Sequence, residues 1–303
     1  MVNTFDFDAI MSRMKENKAL LLLLLTSLIW GFAFVAQSVS SESVGPFTFN
    51  SIRMLIGAIV LLPFAIPYLR KHKGDKAYLR NTVKGGILCG LCLGAASVTQ
   101  QMGVSLSGAG KGGFITSLYI IFVPFMSVFT GQKIRKEIWF SAAVALIGMY
   151  LLSIGEGFTI SEGDLFLILC ALLFALHIMV IDSTGKETDG IVLSFFQFLT
   201  AGILTGIGMI FEKPQLAALQ EAWLPILYAG ALSCGVAYTL QVVGQRYVRP
   251  SRAVFALSLE SVWAAIGGAL ILSEKLSAKE LTGCILVFAA VLVAELAPQK
   301  SST

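Results

Sequence analysis

Two charged side chains stand in otherwise apolar sequence, Arg53 within FNSIRMLIGA and Glu260 within LSLESVWAAI. A charge at bilayer depth costs about 2.5–3.5 kcal/mol on insertion scales, so such a residue faces a cavity or a partner. Arg53 lies seven residues beyond Pro46, roughly 10 Å along a helix at 1.5 Å per residue. It can anchor a solute carboxylate, or act as a structural clamp on backbone carbonyls. Glu260 sits near the middle of its apolar stretch, where a carboxyl can carry a proton or meet a solute amine; the plain alternative is a structural carboxylate paired with an arginine. His177 is the one histidine inside an apolar stretch, since His72 lies in a basic segment. It reads either as a second proton-coupling group or as a buried ring hydrogen-bonded to the next helix.

Neutral polar residues are spread through the same stretches: Gln37, Asn50, Gln100, Gln101, Gln197 and Gln241. Some must bridge helices, at about 0.6 kcal/mol each on average. Gln101 and Gln241 stand at matched positions of the repeat described below and are the expected pair for a binding site. Trp30, Tyr119, Tyr238 and Trp263 fall in mid-stretch rather than at the ends, where belts of Trp and Tyr gather. Aromatic residues so placed suit either the wall of a site for an organic solute or plain packing. Gly86, Gly90 and Gly94, and again Gly202 and Gly206, form small-residue seams that bring helices close. Cys89 and Cys92 make a C-x-x-C on an apolar helix, which reads as packing of small side chains. Gly108, Gly110, Gly112 and Gly113 around Lys111 lack the G-x-x-x-x-G-K-[ST] of a phosphate loop and read as a flexible outer turn.

The elements holding these residues must be membrane helices. The chain of 303 residues is 56% hydrophobic and 13% charged, against roughly 45–50% and 25% in soluble domains, and its mean hydropathy is +0.81. Polar clusters divide it into apolar segments near 19–40, 46–69, 85–106, 109–130, 139–155, 163–182, 190–211, 222–244, 250–272 and 279–297. Each suits a helical span of roughly 20 residues. None alternates with period two, which excludes a barrel. Pro46, Pro225 and Pro250 mark helix starts and Pro298 a stop, while Pro63 and Pro124 lie inside spans. The first segment is too long for a secretory leader and no A-x-A site follows it, so it counts as a span after a lead-in over 1–17. With that lead-in inside, the inner segments carry 17 Lys and Arg against 4 in the outer ones, Arg53 being the remaining one. Such a bias places both termini in the cytoplasm. The net charge of +4 is then a topology signal, met by anionic headgroups, and calls for no nucleic acid.

The second half repeats the first. At an offset of 144, Thr26 and Trp30 fall on Cys170 and Phe174, and Arg53 falls on Gln197. At 140, Thr99 and Gln101 fall on Thr239 and Gln241; at 141, GKGGFITSL falls on SRAVFALSL and Lys111 on Arg252. The halves are 1–158 and 159–303 with five spans each, and an odd number inverts the second copy, which puts a working site between them. The expected fold is all-α, ten transmembrane helices as two inverted five-helix repeats around a central cavity.

Several short motifs, taken in order and spacing, resemble the EamA-type members of the drug/metabolite transporter superfamily over essentially the whole chain. They are Trp30-Gly31, Arg53, the Leu-Glu-Ser-Val of 259–262, and the Ser-Glu-Lys-Leu of 273–276 followed by Gly283. The sequence departs from that pattern at Ser261, where proline is common, and at Gln132-Lys133. The resemblance implies a basket in which helices 1–4 and 6–9 line the cavity while 5 and 10 stay peripheral. It also implies export of amino acids, metabolites or toxic organic compounds by alternating access. The expected setting is a bacterial inner membrane, with a small organic solute and membrane lipids as partners and a homodimer left open. No cofactor or metal is called for. A lipid or lipid-linked sugar flippase is the alternative within the superfamily. A membrane-embedded enzyme finds no equipment: two histidines cannot build H-E-x-x-H, and G-x-S-x-G is absent.

Overall fold

The computed structural model describes residues 4–153, 160–185, 188–271 and 276–296, and among these every regular element is helical. Lys186, Ser273, Glu274, Lys275, Pro298 and Lys300 lie outside the described residues. Seven helical segments are long and apolar enough to cross a membrane. They fall in α1 (Thr4–Ser40), α2 (Pro46–Lys71), α3 (Lys76–Thr116), α6 (Glu162–Thr184), α7 (Gly190–Glu212) and the stretches Trp223–Gln245 and Pro250–Ile271. Shorter apolar helices are α4 (Tyr119–Phe129), α5 (Lys136–Ser153) and α13 (Ala278–Leu296). Ile59, Phe64, Ile210, Phe211 and Leu270 are exposed on their outer faces, as lipid-facing side chains must be. That is the surface of an integral membrane protein.

Local chemistry sets the element ends. Helix α2 opens with Pro46 at its first turn after Gly45, which has no side chain to cap it. Glu212 from the end of α7 supplies the cap, its two oxygens accepting from Phe47 N (2.9 Å) and Thr48 N (2.7 Å). Helix α6 starts in a reciprocal capping box between Ser161 and Asp164, and Asp189 caps α7. Helix α3 has 41 residues, about 60 Å of helix against a hydrocarbon core of about 30 Å. It bends at Gly108, whose φ of 81° only glycine adopts at ease. That bend stands where the sequence separates its third and fourth apolar segments.

Two helical stretches are interrupted at places that match in sequence. The helix after Gly108 ends at Thr116 and resumes as α4 at Tyr119, with Ser117-Leu118 between. In the stretch Pro250–Ile271, α11 (Pro250–Ser258) gives way at Leu259 to α12 (Glu260–Ile271). The stretch Trp223–Gln245 is built of α9 (Trp223–Leu227), an 11-residue π-helical segment (Tyr228–Tyr238) and α10 (Thr239–Gln245), following the short α8 (Leu216–Glu221). Such an extended π segment is rare, and wide turns of this kind concentrate at functional sites.

The glycine seams hold the bundle together. A side chain at Gly86 or Gly90 would run into Phe196, Gln197 and Thr200 of α7, so α3 and α7 touch backbone to backbone. Gly202 of α7 similarly meets Leu55 of α2, and Gly148 of α5 meets Gly283 of α13. All five cysteines are free.

Candidate functional site

A narrow cavity of about 20 Å³ lies at the centre of the bundle, walled by α1, α2, α3, α4, α6, the π segment, α10 and α12. Trp30, Ala33, Phe34 and Gln37 come from α1, Arg53 from α2, and Gln100 and Thr116 from α3. Tyr119 comes from α4, Phe174 and Ile178 from α6, Ser233 and Tyr238 from the π segment, Gln241 from α10 and Glu260 from α12. Space of that size holds about one water molecule.

The Arg53 guanidinium is only 1% exposed and is fixed from two sides. Its Nε donates to Asn50 Oδ1 at 2.9 Å, and its Cζ lies 5.3 Å from the centroid of the Phe49 ring. Asn50 is anchored in turn, donating to the Pro46 carbonyl (2.7 Å) and to the Ser97 carbonyl of α3 (3.1 Å). Asn50 therefore sets the direction of the guanidinium, and Arg53 Nη2 has no partner among the described residues. A buried charged donor left unsatisfied costs free energy that an anionic ligand recovers.

Glu260 is 4% exposed and accepts the Tyr119 hydroxyl at 2.8 Å. Both residues follow directly on the matched segments GKGGFITSL and SRAVFALSL and begin the helices that resume after each interruption. Residues that follow two similar stretches of sequence 141 positions apart thus touch at the cavity. Arg53 and Glu260 line the same cavity, and among the described residues no ion pair joins them.

The aromatic wall is continuous. Trp30 and Tyr238 have ring centroids 4.4 Å apart, and Tyr238 packs edge-on against Phe198 (5.9 Å) and His177 (6.0 Å). Trp30 Nε1, Gln37 Oε1 and Gln241 Oε1 are buried polar atoms without partners among the described residues. The cavity therefore offers donors, acceptors, one cation and one carboxyl against aromatic faces.

Of the residues singled out in the sequence, Trp30, Arg53, Tyr119, Tyr238, Gln241 and Glu260 come together here, whereas Gln101, Trp263 and His177 do not line the cavity. Gln101 turns to α1 and donates to the Gln37 carbonyl at 3.0 Å, and its neighbour Gln100, about 100° round the helix, takes the lining position. Trp263 is half-buried and packs against the apolar core. His177 lies behind Tyr238, its Nε2 3.0 Å from Gln197 Oε1, which joins α6 to α7. Phe34, Thr116, Phe174, Ile178 and Ser233 are lining residues that sequence reasoning did not select; for Phe174 the signal was its repeat match to Trp30. Among the described residues no group of three or more His, Cys, Asp or Glu could hold a metal ion.

A profile of the EamA-like transporter family matches the chain twice, over residues 17–154 and 161–295. An uncharacterized transporter of Archaeoglobus fulgidus is 29% identical over 275 residues, spanning 90% of this chain and 84% of that protein. The uncharacterized inner membrane transporter YedA of Escherichia coli strain K12 is 26% identical over 271 residues, 88% and 87% of the two chains. The uncharacterized transporter YwfM of Bacillus subtilis strain 168 is 26% identical over 96% of this chain and 98% of its own. One solved crystal structure superposes with a TM-score of 0.75 at 19% identity, over 92% of this chain and 97% of its own, so the two share a fold.

Proposed function

Because the chain belongs to the EamA-like transporter family, we propose that it is a secondary transporter. In this reading it exports a small organic metabolite such as an amino acid, by alternating access through the central cavity. The observation that carries this reading is the buried guanidinium of Arg53 and the buried carboxyl of Glu260, facing one aromatic-walled cavity without pairing with each other. A solute with a carboxylate for Arg53, an amine for Glu260 and an apolar or aromatic body for Trp30 and Tyr238 would satisfy the site. Glu260 then serves a second purpose, releasing or taking up a proton as the solute amine leaves or arrives.

The architecture behind the reading is ten spans in two inverted five-helix repeats, 1–158 and 159–303. Its supports are the two successive family matches, the matched interruptions at Ser117-Leu118 and Leu259, and the contact between Tyr119 and Glu260. Helix α4 with the segment after Gly108, together with α5 and α13, supplies the three spans beyond the seven long ones. The bias of basic residues supports both termini in the cytoplasm, and the inner-membrane relative supports a bacterial plasma membrane. A cavity of about 20 Å³ is far below the roughly 300–1,000 Å³ of ligand pockets, so helices must part to admit the solute.

The test is flux into and out of proteoliposomes for a panel of amino acids, their decarboxylated amines, nucleosides and quaternary amines, with and without a proton gradient. Uptake of an amino acid that its amine and its deaminated acid fail to match supports the reading. Transport of none of the amphoteric solutes, with activity only on lipid or lipid-linked sugar, would replace it with a flippase.

A further inference from the structure

Among the described residues two ion pairs tie 1–158 to 159–303, one at each end of the bundle. At one end Lys111 Nζ donates to Asp164 Oδ2 at 2.8 Å, and Asp164 also accepts from Ser107 Oγ (2.8 Å) and Ser161 N (2.9 Å). At the other end Arg252 pairs with Glu16. The two ends are far apart. Glu16 and Gln37 are separated by 21 residues of α1, about 32 Å. The Gln37 carbonyl is held by Gln101, six residues before Ser107 on α3.

The pairs are also counterparts. Lys111 and Arg252 fall on one another in the repeat, each eight residues before a cavity residue, Tyr119 or Glu260. Each basic side chain reaches into the opposite half. Lys111 meets the start of α6, the first helix of the second half, and Arg252 meets the early part of α1, the first helix of the first half. An ion pair that crosses between halves must part when the halves spread at that end and can persist when they spread at the other. Lys111, Arg252 and Glu16 are 15–23% exposed and Asp164 is 3% exposed, so water reaches one side of each pair and can take over its basic group as that end parts; a fully exposed pair is worth about 0–1 kcal/mol.

We propose that Lys111–Asp164 and Arg252–Glu16 are the two latches of the transporter, each holding one end shut while the other opens. The proposal rests on the alternating-access reading but does not depend on which solute is carried.

Hydrogen exchange on the purified full-length protein tests it without any ligand. Lys111→Gln should speed exchange about fivefold or more in 103–116 and 160–167 while leaving 14–20 and 246–258 as in the unmodified protein. Glu16→Gln should do the reverse, and Lys111→Arg and Glu16→Asp should hold the original rates. High salt on the unmodified protein, which screens partly exposed pairs, should loosen both ends and needs no variant. A rise at both ends in either single variant, or at neither, overturns the latches, as does indifference to salt. Flux separates the two ideas: end-specific exchange without amphoteric flux keeps the latches and removes the solute, whereas flux with unaltered exchange does the opposite.

Discussion

Replacing Arg53 with methionine separates a binding role from a structural one. At depth the guanidinium costs about 2.5–3.5 kcal/mol. Against this stand one charge-assisted hydrogen bond to Asn50, worth about 1.5–3 kcal/mol, and the Phe49 contact, worth about 0.5–2 kcal/mol. The opposing totals, about 2–5 and about 2.5–3.5 kcal/mol, overlap, so Arg53→Met should stabilise the fold by at most about 1.5 kcal/mol or destabilise it by at most about 2.5 kcal/mol. At roughly 2–4 °C per kcal/mol, the melting temperature in detergent should rise by less than about 6 °C or fall by less than about 10 °C. Binding should respond differently. Removing one partner of a buried charge pair costs about 2–5 kcal/mol, so affinity for a carboxylate solute should fall by roughly 30-fold to several thousandfold. The decarboxylated amine should lose little. Ligand-dependent thermal shift and proteoliposome flux read both quantities on the same preparation. A fall in melting temperature of 15 °C or more, or equal losses for acid and amine, would show that Arg53 is a structural clamp and refute the reasoning.

Glu260→Gln keeps an oxygen for the Tyr119 hydroxyl but carries no proton, so the protein should insert and fold normally while flux loses its response to a proton gradient; gradient-driven flux like that of the unmodified protein would refute the coupling role. Gln100→Ala should reduce flux with little change in stability, whereas Gln101→Ala, which breaks the bond to the Gln37 carbonyl, should cost about 0.6 kcal/mol and spare flux. Measuring both pairs of values side by side checks the assignment. Asn50→Leu frees Arg53 without removing it and should weaken carboxylate binding about tenfold, with amines unaffected. Gly90→Leu would drive a branched side chain into Gln197 and Thr200; it should split α3 from α7 and abolish the monodisperse peak on size exclusion.

Span positions were legible because lipid imposes them. Clusters of charge gather where an apolar stretch ends, and the observed starts at Pro46, Gly190, Pro250 and Ala278 fall close to the expected ones. Which face of each span looks inward was much less legible. A helix apolar all round has no polar stripe to give its phase, and so Gln100 and Gln101 could not be told apart before their neighbours were placed. The repeat pointed to Gln101 and Gln241, of which only Gln241 lines the cavity; Tyr119 and Glu260 stood out as a mid-stretch aromatic and an isolated charge, and their mutual contact needed the three-dimensional arrangement. His177 was left open between two readings because a buried histidine looks the same in sequence whether it faces a cavity or, as here, Gln197 of the next helix. Helix α1 also runs further than expected, beginning at Thr4 inside the segment read as a lead-in.

The π-helical segment Tyr228–Tyr238 has a consequence for how the gene can change length. Its wider turns take up more residues per turn than the α-helix on either side, so the segment stores slack in the main chain. Removing one residue between Ser233 and Tyr238 would let one turn tighten from π to α geometry, which absorbs about one residue and leaves the two flanks in register, whereas the same deletion in an ordinary helix turns one part by about 100° relative to the other. Tyr238 and Gln241 would keep their places at the cavity. A single-codon deletion there should therefore yield an inserted, folded and still active protein, an outcome that a deletion in an ordinary membrane helix rarely allows.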